Sequence, residues 1–199
     1  ELAEVTPHYL GQIEVALCPI IRCTLVQADM SVDRVCDRAG YAAGNLAMMS
    51  TQANRAKAAV GWDEALKRAG QADAAEDGRV DGLDAAEWWR LAVLMSFVTP
   101  LPHAQAACLP LRVLPPNRLR LLNPVQALQA VVTLAFTETQ AVPRLRELMA
   151  HLPSLPPADR KAFGQQVNAL KVTVEQALAE RDAALAATLA VACSSVTRV

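Results

Sequence analysis

The chain has 199 residues, is 53% hydrophobic and 20% charged, and carries a formal net charge of −1. These values exclude a disordered chain and a surface that captures nucleic acid through bulk positive charge, so any such binding needs a local basic patch. Aromatic residues make up only 4%, and the abundance of Ala and Leu favours helices packed closely on one another.

In chain order, Pro7 permits a short helix after it, and Cys18-Pro19 opens a knuckle followed by short extended pieces at Ile20-Ile21 and Leu25-Val26. Residues 32–35 and 46–49 read as the two strands of a hairpin joined through Gly40, Tyr41 and Gly44. Ser50 is a good N-cap, residues 53–60 a good helix interior, and Gly61 a natural stop. Asp63 caps another short helix that ends near Gly70. From Gln71 to Gly82 the chain shows no apolar period and reads as a linker. Asp84 with Glu87 three residues on forms a capping-box start. Trp88, Leu91, Met95 and Val98 follow at helical spacing until Pro100 and Pro102 end the run, and this face is expected to pack on helices after Pro124. Three further helices are expected, over about 124–136, 142–152 and 157–192. The fold class expected is mainly α with a small ββα finger, in a helical body ending in a long antiparallel helix pair. The division expected is a finger module over 1–70, a linker over 71–83 and a helical domain over 84–199.

The five cysteines (Cys18, Cys23, Cys36, Cys108 and Cys193) are odd in number and contain no C-x2-C pair. No zinc is expected, nor a disulfide framework, and buried apolar thiols are the simpler account. No apolar run reaches the ~18 residues of a membrane span, so the expected setting is a reduced cytosol without membrane attachment. The start at Glu1 rather than Met suggests a fragment or a processed product.

The stretch from Met30 to Lys57 carries the chemistry. It contains Ser31-Val32-Asp33-Arg34, then Gly40-Tyr41-Ala42-Ala43-Gly44-Asn45, then Ala53-Asn54-Arg55-Ala56-Lys57, with Cys18-Pro19 upstream. In order and spacing these elements resemble the ββα-metal finger of HNH-type endonucleases, over residues 18–69. The resemblance implies a site with Asp33 as the metal-binding carboxylate, Asn45 as the asparagine that fixes the loop, and Asn54 as a second metal ligand on the helix. The metal implied is Mg or Mn. At the position of the family's catalytic His stands Arg34, whose guanidinium stays protonated and cannot serve as general base. Asp33, Arg34 and Asn45 are therefore the catalytic positions of a module expected to be degenerate. Arg34, Arg38, Arg55 and Lys57 are the candidate contacts to DNA or RNA, and Lys67 and Arg68 could extend the same patch. A plainer reading also fits these residues: Gly-Tyr-x-x-Gly-Asn is an ordinary hairpin connection, Asp33 and Arg34 a surface pair, and Asn54 a solvated helix residue.

Leu145 to Leu185 contains Leu155-Pro156-Pro157, Arg160, Gly164, Asn168, Lys171, Glu175, Ala177-Leu178 and Arg181. It resembles the N-terminal helical hairpin of the bacterial phenylalanyl-tRNA synthetase α subunit, which contacts tRNA. The family's basic glycine loop is missing before it, and nothing in the chain resembles that enzyme's catalytic core. Phe163, Val167, Leu170, Val174 and Ala177 alternate by four and three, the seam of a packed helix pair. That seam supports a second class of function, a non-enzymatic helical interaction protein. Its partner, or a second copy of the chain, would be held by the C-terminal helices and the Trp88 face.

Overall fold

The structure is a computed structural model that describes residues 4–137, with Lys161 and Gln165 as isolated positions beyond them. The helix pair expected over 145–185 lies outside the described residues. The chain divides into two compact units, Glu1–Val131 and Val132–Val199.

Helix α1 (Pro7–Ile13) is capped by Thr6, whose side chain accepts from the Tyr9 amide. A knuckle follows, closed by bonds from Cys18 N to Cys23 O and from Arg22 N to Cys18 O, both 2.9 Å. Strands β1 (Met30–Arg34) and β2 (Leu46–Ser50) pair antiparallel, with Asp33 opposite Ala47 and Arg34 opposite Leu46. All five residues of β2 are buried, because Leu46 packs with Tyr9 and Ile13 while Ala47 and Met49 join the main core. Ser50 ends the strand and caps α2 (Thr51–Lys57), its Oγ accepting from the Ala53 amide at 3.2 Å. Strand, strand and helix thus follow in ββα order.

Helix α2 stops one turn earlier than the composition suggests. Ala58 turns to φ 44°, and Gly61 caps the next helix, α3 (Trp62–Ala74), instead of ending the last one. The expected linker is the end of α3 followed by a hairpin, β3 (Arg79–Val80) with β4 (Leu83–Asp84). Its turn is Asp81-Gly82, with φ of 49° and 80°, the paired positive values of a type I′ turn. Helix α4 (Ala85–Phe97) begins on the complete Asp84–Glu87 capping box.

The Trp88 face packs on α3; of the helices expected after Pro124, only the one over 124–136 lies among the described residues. The Trp88 ring is fully buried, its Nε1 donates to Val80 O at 2.9 Å, and the Arg68 guanidinium lies 5.0 Å from the ring centre. After α5 (His103–Cys108), an irregular stretch leads to α6 (Pro124–Thr137). Asn123 and Gln126 hold this return to the end of α4. Asn123 Nδ2 donates to the carbonyls of Ser96 and Thr99, and Gln126 Nε2 donates to Ser96 Oγ at 2.7 Å. The described part is therefore a mixed arrangement of helices with two small antiparallel hairpins, while most of the helical body expected over 84–199 lies outside the described residues. No helix among the described residues is long and apolar enough to cross a membrane.

Candidate functional site

Side chains two apart on a strand share a face, so Ser31 and Asp33 project from β1 together. Asn54 and Lys57, three apart on α2, share a helix face. The two faces meet. Asn54 Nδ2 donates to Ser31 Oγ at 2.6 Å, and Lys57 Nζ donates to Asp33 Oδ1 at 3.2 Å and to Arg34 O at 3.0 Å. Lys57 Nζ also lies 3.5 Å from Asp37 Oδ1. The pair is inside the protein, with the Lys57 and Asp33 side chains only 1% and 6% exposed. Burial pushes the Asp33 carboxyl above the ordinary carboxylate range, and the Lys57 ammonium offsets only part of that. Asp33 Oδ2 is buried with no hydrogen-bond partner.

This donor set does not fit a divalent cation. Mg²⁺ or Mn²⁺ needs open oxygens around the carboxylate, and the Lys57 ammonium already stands against Asp33 and Asp37. Among the described residues no group of three or more His, Cys, Asp or Glu side chains could hold a metal. Lys57, expected among the nucleic-acid contacts, has its ammonium buried against the Asp33 and Asp37 carboxylates.

Asn45 ties the loop between the strands. Its Oδ1 accepts from Cys36 N at 2.9 Å, and its Nδ2 donates to Cys36 O and Gly40 O, both at 2.8 Å. Replacing this 5%-exposed side chain with Ala leaves those backbone groups without partners, at about 1–3 kcal/mol for a buried group. Asn45→Ala is expected to lose about 2–3 kcal/mol in urea unfolding. A loss under about 0.5 kcal/mol would mean that water replaces the amide.

Arg34 lies outside the buried pair. Its guanidinium stands 5.1 Å over the Tyr41 ring and 3.7 Å from Asp37, and its side chain is 41% exposed. Arg38 and Arg55 are exposed, but on different surfaces. Arg38 borders a cavity of about 420 Å³ that Trp62 and Met95 also line. Arg55 borders an open concavity with Asp29, Arg68 and Asp81. Lys67 is paired with Glu64, and Arg68 with Asp81. Cys18 is buried and accepts from Ser50 N at 3.3 Å, so it serves as a packing and capping residue.

Lys57 is the residue whose role sequence reasoning missed. The available signal was its place three residues after Asn54, on the helix face turned to β1. Arg118 and Arg120 were missed as well, since nothing in the sequence connects 117–120 to the 40–45 loop. In the structure Arg120 N donates to Gly44 O at 2.8 Å.

A family model described as the aminoacyl tRNA synthetase class II N-terminal domain matches residues 144–190. The match falls on the segment whose sequence resembles the helical hairpin of phenylalanyl-tRNA synthetase and lies wholly outside the ββα stretch. No curated protein and no solved structure matches the chain.

Proposed function

We propose that residues 18–69 are an HNH-like ββα module that binds nucleic acid without cleaving it. The observation that carries this reading is the buried Asp33–Lys57 pair, with Nζ 3.2 Å from Oδ1. An ammonium neutralises a carboxylate but offers only donors. It offers no open coordination position at which a phosphate oxygen is polarised or a water deprotonated, as a metal does. Arg34 cannot accept a proton at neutral pH, but its half-exposed guanidinium suits a phosphate. The likeness of residues 144–190 to a tRNA synthetase domain is a second, separate reason to look for nucleic acid, DNA or RNA, as the partner. A non-enzymatic role in protein assembly is the second reading, and the exposed Leu122, Leu128 and Val131 favour it.

Titration of labelled DNA and RNA oligonucleotides with the full chain, beside calorimetry with Mg²⁺ and Mn²⁺, separates these readings. The expected result is binding in the range of about 10⁻⁴–10⁻⁶ M that weakens steeply with salt, no metal-binding heat lost on Asp33→Ala, and no cleavage product. Absence of binding at low salt favours the assembly reading. Metal-dependent cleavage abolished by Asp33→Ala means that the module is an active nuclease.

A further inference from the structure

The geometry points to a phosphodiester-binding surface that the 117–120 segment completes against the 40–45 loop, adding Arg118 and Arg120 to the loop on which Arg34 covers the exposed Tyr41. This rests on the nucleic-acid reading above and says where on the molecule the strand runs.

Three observations place it. The first is the docking of the segment: Arg120 N donates to Gly44 O at 2.8 Å, and a Cβ added at Gly44, where φ is +87°, would meet Arg120 Cβ at 2.9 Å. Only glycine lets the two backbones come so close. The loop is itself braced from below, since Gly44 N donates to Tyr9 Oη at 2.8 Å. The second is Arg118, which is held at φ 63°, a left-handed conformation unusual for a side chain of its size. Such strained residues gather where a fold presents a group for binding. Arg118 lines a cavity of about 490 Å³ with His8, Gln12, Ala43, Gly44 and one carboxylate, Glu4. The third is charge balance. Among the described residues no carboxylate pairs with Arg38, Arg118 or Arg120, all of them exposed. The carboxylate beside Arg34, Asp37, is shared with Lys57. The Arg55 side is less suited, because Asp29 and Asp81 line the same concavity. Tyr41 is 50% exposed with a guanidinium over one face, the arrangement on which an unpaired base stacks.

The experiment measures the affinity of the full chain for single-stranded and duplex oligonucleotides across a range of salt concentrations. Variants are Arg118→Gln/Arg120→Gln, Arg34→Gln/Arg38→Gln, and Arg22→Gln/Arg79→Gln as a charge-matched control on the Cys18–Cys23 knuckle and the second hairpin, both positions exposed. Each phosphate contact contributes about 0.9 to the slope of log K against log salt on duplex and about 0.7 on a single strand. Arg118→Gln/Arg120→Gln is therefore expected to lower the slope by about 1.5–2 with unchanged thermal unfolding, and the control to leave it unchanged. Gly44→Ala, which displaces the segment while keeping every arginine, is expected to lower the slope as well. A wild type that binds, with Arg118→Gln/Arg120→Gln at wild-type slope or the control equally affected, overturns this surface and leaves the nucleic-acid reading standing. A wild type that binds neither probe removes that reading, and this surface with it.

Discussion

Lys57→Met is expected to destabilise the protein by about 3–5 kcal/mol at neutral pH, the usual consequence of removing one partner of a buried ion pair. The methionine has similar volume, so the loss reports the stranded Asp33 carboxylate and the uncovered Arg34 carbonyl rather than a cavity. Asp33→Leu/Lys57→Met is expected to recover most of the loss, because a matched apolar pair leaves neither charge buried alone. The pH dependence has a definite sign. Burial holds the Asp33 carboxyl above its unfolded-state value, which is about 3.9. The folded state therefore binds the proton more tightly, and this group's contribution is fully present below the unfolded value and lost as pH rises through the folded one. Without Lys57 the folded value rises further, so the deficit of Lys57→Met relative to wild type narrows as pH falls. Urea unfolding across pH measures it. A loss under about 1 kcal/mol that does not vary with pH would mean that the pair behaves like an exposed one.

How much of this could be read from the sequence depended on where each signal came from. The β1–β2 hairpin, the Ser50 cap and the Asp84–Glu87 box were legible because each depends on a few neighbouring residues of distinctive type. The stretch over 71–83 shows no apolar period because its packed positions, buried Ala72 and Leu83 and half-buried Val80, are too few and small. They belong to a helix end and a hairpin two residues wide. The packing of α3 on the Trp88 helix was not legible for a related reason. Helix α3 covers α4 with alanines, Ala65, Ala69 and Ala72, and a face of alanines announces no core. In the candidate site, each residue type could be named from its motif, but the Asp33–Lys57 contact is tertiary. It exists because α2 folds back across β1, and only that contact distinguishes an open carboxylate from a neutralised one.

That distinction decides what Arg34→His should do. If the general base were all that this module lacks, the substitution would place a proton acceptor beside Asp33 and raise cleavage by about 10²–10⁴-fold. With Lys57 against Asp33 and Asp37, the base arrives at a site whose carboxylate is already neutralised. Arg34→His is therefore expected to leave cleavage of single-stranded and duplex DNA at background in Mg²⁺ or Mn²⁺. It also removes the cation over Tyr41 and the contact to Asp37, so nucleic-acid affinity should fall at neutral pH and partly return below about pH 6, where imidazole gains a proton. A nicking assay and a binding titration on the same preparation read both effects. Nicking that rises by two orders of magnitude or more in Arg34→His, and disappears when Asp33→Ala is added, would show that Lys57 yields its place when substrate and metal arrive. The ion pair would then be a resting state of a nuclease and not a replacement for its metal.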